Sequence, residues 1–214
     1  MKKFKKIVIS AGPTRERIDP VRFLSNRSSG KMGYALAESA LDYAEKAVLV
    51  SGPVALNVPD GVECVKIESA AEMAEAMLRE SVDADMVIMC AAVADYRPKT
   101  VLANKLKKGE GDLVLVLERT QDILKTLGEH KKAGQILAGF AAETEDLLVN
   151  AKSKLERKNL DFIIANDVSS ASAGGFAVDN NAVTIIDRSG HQEVFELCPK
   201  KELAGKILSY ISGK

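Results

Sequence analysis

The sequence has no excess of charge of either sign: thirty basic and thirty acidic side chains cancel across 214 residues. Nothing global therefore steers the protein towards nucleic acid or an anionic membrane, and any anion site must come from a local cluster. Long apolar runs are missing too. The longest, residues 86–94, falls far short of the roughly 20 residues that a membrane span needs. The basic start, Met1-Lys2-Lys3-Phe4-Lys5-Lys6, leads into an apolar stretch that ends at Ser10, so no secretory signal fits there. Cysteine and histidine are scarce. Cys64, Cys90 and Cys198 are odd in number and form no Cys-x-x-Cys pair, and only two histidines accompany them. That argues against a disulfide framework or a zinc site and makes a reducing cytoplasm the expected compartment. Two nucleotide fingerprints are also absent. The first strand-to-helix turn has no Gly-x-Gly-x-x-Gly, Val50-Ser51-Gly52-Pro53 offers no acid for a ribose diol, and no Gly-x-x-x-x-Gly-Lys-Ser/Thr occurs. Any nucleotide is held by another arrangement.

What is present is alternation. Residues 6–10, 47–51, 63–67, 86–91, 135–141 and 162–165 read as buried strands. Between them, residues 31–45, 70–81, 121–132 and 144–158 carry apolar side chains at helical spacing. Such alternation predicts an α/β fold: a Rossmann-like, doubly wound, mainly parallel sheet with helices on both faces. Residues 113–118, and residues 182–187 with 193–197 around the turn Arg188-Ser189-Gly190-His191, read as antiparallel additions. A last helix is expected over residues 200–212, a glycine-rich loop over 169–175 and a lysine-bearing polar loop over 100–111. The length suits one domain spanning residues 1–214.

In doubly wound sheets ligands bind beyond the carboxyl ends of the strands. After the first strand comes a long loop ending in Ser25-Asn26-Arg27-Ser28-Ser29-Gly30-Lys31, where hydroxyls and backbone N–H groups at a helix start can hold an anion. An isolated Ser-Ser-Gly is more often a cap, but Arg22, Asn26, Arg27 and Lys31 crowd this one. After residue 90, Ala91-Ala92-Val93-Ala94-Asp95-Tyr96 lets a flat ligand or phosphate approach closely, and Asp95 can accept a hydrogen bond or help to hold a metal ion. Lys105-Leu106-Lys107-Lys108, the helical pair Lys154 and Lys158, and Ala165-Asn166-Asp167-Val168 each have a bland reading as solvated loop, surface pair and turn.

Taken in order, these stretches resemble the phosphopantothenoylcysteine synthetase family, the synthetase half of the bifunctional bacterial coenzyme A biosynthesis flavoprotein. The likeness covers nearly the whole chain. Its most specific part is Ile18-Asp19-Pro20-Val21-Arg22-Phe23-Leu24-Ser25-Asn26-Arg27-Ser28-Ser29-Gly30-Lys31-Met32-Gly33, supported by Gly139-Phe140-Ala141-Ala142-Glu143-Thr144 and the other motifs above. The resemblance implies a ligase that joins 4′-phosphopantothenate to L-cysteine through an acyl cytidylate made from CTP, with Mg²⁺ or Mn²⁺. It implies that Asn26, Lys105 and Arg22 are catalytic. Met89, Cys90, Ala91, Asp95, Lys105, Gln121, Asp122, Ile123, Leu124, Phe140, Lys154 and Lys158 would line the nucleotide site. Arg22, Asn26, Ser28, Ser29, Gly30, Lys31 and Ala92 would bind the acid substrate; the metal ligands stay unassigned. A homodimer, and fusion to a flavin-dependent decarboxylase domain, are further implications. The chain departs from the family at Thr120-Gln121-Asp122-Ile123, where Asn-Pro-Asp-Ile is usual, and at Ala11-Gly12-Pro13-Thr14, where Pro13 removes a backbone donor.

The chemistry explains the residue types. A carboxylate attacking a triphosphate brings like charges together, at about 4 kcal/mol per unit pair ~4 Å apart in an effective dielectric near 20. Lysines and a divalent ion offset that repulsion, whereas the second half-reaction needs a neutral donor such as the Asn26 amide. A nucleotide-binding module without catalysis is the second reading. An NAD-dependent short-chain oxidoreductase is disfavoured by the missing fingerprint and because no predicted helix contains a whole Tyr-x-x-x-Lys, the one occurrence, Tyr210 with Lys214, running past the end of the last.

Overall fold

The computed structural model describes residues 3–108, 112–143, 147–167 and 179–214. In chain order the elements are β1 (Phe4–Ala11), β2 (Arg15–Arg17), β3 (Phe23–Ser25), α1 (Lys31–Ala40), β4 (Ala44–Ser51), β5 (Glu63–Lys66) and α2 (Ala70–Ser81). There follow β6 (Met86–Met89), β7 (Tyr96–Pro98), β8 (Leu117–Arg119), α3 (Ile123–Glu129) and β9 (Ile136–Glu143). The chain closes with α4 (Leu147–Arg157), β10 (Phe162–Asp167), β11 (Asn180–Asp187), β12 (Gln192–Pro199) and α5 (Lys200–Gly213).

One eight-stranded sheet organises them, in the order β12-β11-β10-β9-β6-β1-β4-β5. The six strands from β10 to β5 run parallel, and numbered among themselves they take the 3-2-1-4-5-6 order of a doubly wound fold. β11 and β12 extend the sheet antiparallel. The α/β class is therefore as expected. Alternation along β1 supplies two cores. Ile7 and Ile9 pack with Leu36 of α1 and Ile207 and Leu208 of α5, while Val8 packs with Met73 and Met77 of α2 and Leu155 of α4 on the other face.

Element ends differ from expectation where loops intervene. α1 stops at Ala40 rather than residue 45, because Leu41, Asp42 and Tyr43 turn back onto Glu38, Ser39 and Ala40 and release Ala44 to pair with Phe4. The strand expected over residues 113–118 is only Leu117–Arg119, paired with Tyr96–Pro98. β2 and β3 form a second small ribbon that apolar periodicity does not reveal. The expected loop 169–175, the start of the fourth expected helix and the end of the lysine loop lie outside the described residues. No helix among the described residues is long and apolar enough to cross a membrane.

Candidate functional site

The strand order reverses between β1 and β6, and the crevice there is where doubly wound folds bind ligands. Here it is laced shut at its base. The buried Ser10 hydroxyl accepts the N–H groups of Cys90 and Ala91, both at 3.0 Å, and the Gly12 carbonyl accepts Ala92 N–H at 2.9 Å. Thr14, also buried, takes Ala94 N–H on its hydroxyl at 3.0 Å. Four N–H groups of the 90–94 turn are thus committed to protein. The turn offers small side chains for a flat group to lie against, but it is no phosphate cradle, which corrects one half of the sequence reading.

Two cavities open on either side of this turn. The larger, about 480 Å³, lies towards α3 and is lined by Met89, Ala91, Asp95, Gln121, Asp122, Ile123, Leu124, Phe140 and Lys158, all members of the expected nucleotide set. Val93, Tyr96, Arg119 and Thr120 complete it, and sequence reasoning had assigned these no role. Thr120 could have been found, since its neighbours were already in the set. Asp122 caps α3, accepting Lys125 N–H at 3.0 Å, and pairs with Lys158 at 2.9 Å. Burial pushes the Asp122 carboxyl up, but the Lys158 hydrogen bond, the Lys125 N–H and both lysine charges outweigh it and hold the group below the usual carboxylate range.

The smaller cavity, about 160 Å³, lies towards α1 and α5. Ser28, Ser29, Gly30, Lys31 and Ala92 of the expected acid-substrate set line it, with Cys90, Asn166, Asn181 and Lys200. Gly30 adopts φ 77°, a left-handed conformation that favours glycine, and so turns the chain into α1 without a side-chain cap. The 28–31 turn also faces an open groove of about 690 Å³ that carries Arg15. Lys31 pairs with Asp179 at 2.6 Å. Burial and the Lys31 charge lower the Lys200 pKa, opposed by Asp179 and Cys90. Burial drives the Cys90 thiol up to about 12, against the pull of Lys200, so it stays protonated. Asn181 and Lys200 escaped the sequence reading. Their signals were an asparagine just before an expected strand and a lysine, instead of an acid, opening a helix.

Ala91 and Phe140 line both cavities, so one wall separates them. Asn26 reaches the same turn, donating from Nδ2 to the Ala92 and Val93 carbonyls at 3.1 and 3.2 Å. Its amide is therefore engaged, and serving a substrate means exchanging one of these bonds. Arg22 lies further out. Its guanidinium is clasped by the buried Asp19 and donates to the Leu106 carbonyl at 2.8 Å, while Leu106 N–H returns to Asp19 at 3.1 Å. Burial would raise the Asp19 pKa, but the Arg22 hydrogen bond and the backbone donors Leu106, Val21 and Arg22 hold it far below the usual range. Through this clasp the arm that bears Asn26 anchors the loop that bears Lys105. Lys105 and Lys154 themselves line neither cavity, and Cys90 faces the smaller one. Among the described residues no group of three or more His, Cys, Asp and Glu side chains gathers to hold a metal ion.

Comparison with known proteins gives a consistent result. The chain is 52% identical over 209 residues to the coenzyme A biosynthesis bifunctional protein CoaBC of Bacillus subtilis, covering 97% of this chain and 51% of that protein. It is 46% identical, over 97% of its length and 58% of the relative's, to a protein from an unknown prokaryotic organism named cysteine/cysteine sulfinic acid decarboxylase. The chain thus spans about half the length of the curated relatives it matches. Among solved structures, the C-terminal domain of a CoaBC protein superposes with a TM-score of 0.82 at 48% identity, covering 98% of this chain and 94% of that one. Residues 2–213 match the family described as the DNA/pantothenate metabolism flavoprotein C-terminal domain. The chain belongs to that family, the one its ordered motifs resemble.

Proposed function

We propose that the chain is a phosphopantothenate–cysteine ligase of coenzyme A biosynthesis, using CTP. The observation that carries the reading is the pair of cavities sharing the Ala91 and Phe140 wall at the strand ends, with Asn26 fastened across the turn between them. Two reactants can then meet over one wall. At about 480 Å³ the larger cavity falls in the range of small-ligand sites, and its Lys158 suits a nucleotide phosphate. The 4′-phosphopantothenate would run along Asn26 and the 28–31 turn. The decarboxylase name of one relative does not direct the reading, because 42% of that protein, all but the 58% covered, lies outside the match.

In the first half-reaction the acid's carboxylate oxygen bonds to the α-phosphorus of CTP and pyrophosphate leaves. The exposed Lys105 would close over the triphosphate on the loop anchored through Asp19 and Arg22. Asp95 lines the larger cavity with Asp122, and since Asp122 is paired with Lys158, the Asp95 carboxylate beside a triphosphate is the donor Mg²⁺ would accept, completed by phosphate oxygens and water. Such an ion supplies charge neutralisation between the phosphates. In the second half-reaction the cysteine amine bonds to the acyl carbon, CMP leaves and the amine proton passes to solvent. Asn26, a neutral donor, would hold the acyl oxygen.

The test separates the halves. Asn26→Asp is expected to release pyrophosphate yet stall before amide formation, and Lys105→Gln to release little. Loss of such a donor typically costs about 3 to 4 kcal/mol in the transition state. Equal loss of both steps in both variants would overturn the division. A wild type that binds CTP but releases no pyrophosphate with phosphopantothenate would favour the binding-module reading. Running the assay with ATP beside CTP settles the base.

A further inference from the structure

We infer that the smaller cavity is the subsite for the amino acid, L-cysteine, with its carboxylate on Lys200 and its amino group on the side-chain oxygens of Asn166 and Asn181. The inference rests on the ligase reading and names which cavity takes the second substrate.

Two buried acceptors need a partner. Asn181 is only 3% exposed, yet its Oδ1 meets no hydrogen-bond donor, and the buried Oδ1 of Asn166 meets none either. A buried acceptor left unpaired loses its hydration without a replacement, and both residues line one cavity. They ask for a guest that carries N–H or O–H groups. The charge around them, two lysines against the single carboxylate of Asp179, favours an anion. Lys200, 7% exposed, is the first residue of α5, and Lys31 is the first of α1. Neither helix has a side-chain cap, although Lys200 N–H goes to the Asp179 carbonyl at 2.9 Å, and each N-terminus carries roughly half a positive charge.

Size then selects among anions. At about 160 Å³ the cavity is well under the ~300 Å³ at which pockets begin to take drug-sized ligands. A nucleotide or a long phosphorylated acid could place only one end in it. The phosphate monoester of the acid substrate is mostly dianionic at pH 7, with a second pKa of about 6, and would set its oxygens against two amide carbonyls. An α-amino acid combines a carboxylate with N–H donors, present whether the amine is protonated or neutral. The location completes the argument, because the wall shared with the nucleotide cavity places an amine held here beside an acyl group activated there.

Steady-state kinetics of the whole protein test this. Lys200→Met is expected to raise KM for L-cysteine about tenfold or more, while KM for phosphopantothenate and for CTP stays within twofold. Cysteamine, which lacks the carboxylate, should be used equally well by variant and wild type, so the preference for cysteine collapses. A raised KM for phosphopantothenate with cysteine unaffected would give the cavity to the phosphate and overturn the assignment. Equal loss with cysteine and cysteamine would reduce Lys200 to a structural role. Should Lys200→Met fail to fold, Lys200→Gln carries the same expectations. Failure of the underlying ligase reading looks different: wild type would release no pyrophosphate from CTP and phosphopantothenate before any cysteine is added.

Discussion

At the scale of single residues, the site is fixed by groups that do no chemistry. Ser10 is fully buried, and one hydroxyl oxygen satisfies two N–H groups of the turn between the cavities. Ser10→Ala removes that acceptor, so unfolding in urea should show a loss of about 1–3 kcal/mol, together with poorer KM values for all three substrates. Asp122 allows a pH test with a definite sign. Its carboxyl is depressed in the folded state, so its pair with Lys158 contributes fully above the ordinary carboxylate pKa and is lost as pH falls through the depressed value. Asn also caps helices well, so Asp122→Asn keeps the α3 cap and removes only the charge. The stability difference between wild type and Asp122→Asn should be constant from pH 7 down to about pH 4 and shrink below it. A gap that widened in acid would mean that the folded carboxyl titrates above the ordinary range, with burial outweighing the lysines.

At the scale of elements, the parallel strands and α2 were legible because each carries an unbroken apolar run or a helical stripe that only one geometry can bury. The helix expected at residues 70–81 is the one found, opened by Ser69 and its bond from Glu72 N–H. The ribbon β2–β3 was not legible, and β7–β8 only through the antiparallel segment expected at residues 113–118, since three-residue strands present no period and are fixed by partners distant in sequence. Nine of the residues expected around a nucleotide line one cavity, whereas the Asp19, Arg22 and Leu106 clasp, 87 positions across, left no sign in the sequence. Close approach between elements matters equally. A Cβ on Gly128 of α3 would come within 1.9 Å of the Lys158 carbonyl oxygen just beyond α4. Gly128→Ala must therefore push the two helices apart, at about 1–3 kcal/mol for overpacking. Because Lys158 moves with its backbone, KM for the nucleotide should rise while KM for cysteine holds. Parallel loss of both would mean that the strain spreads through the sheet.

At the scale of the whole molecule, the exposed apolar surface is unevenly placed. Val21, Phe23, Tyr96, Val101, Leu113, Val114, Val116 and Leu117 all lie outside the main sheet, in the 21–26 and 96–117 segments, where β2 touches β7. These are the same segments that carry Asn26 and Lys105. An apolar surface on the arms that hold two expected catalytic groups suits the homodimer that the resemblance implies, and a site shared between two copies would account for Lys105 lining neither cavity of its own chain. Sedimentation should give twice the chain mass for wild type and the chain mass for the double variant Val114→Asp, Val116→Asp. A mixing experiment decides whether the interface is catalytic. If each site takes Asn26 from one subunit and Lys105 from its partner, a heterodimer of Asn26→Asp with Lys105→Gln has one site carrying both lesions and one carrying neither. Random exchange then restores about one quarter of wild-type activity from two inactive parents. If both groups come from one subunit, every site carries a lesion and mixing restores nothing.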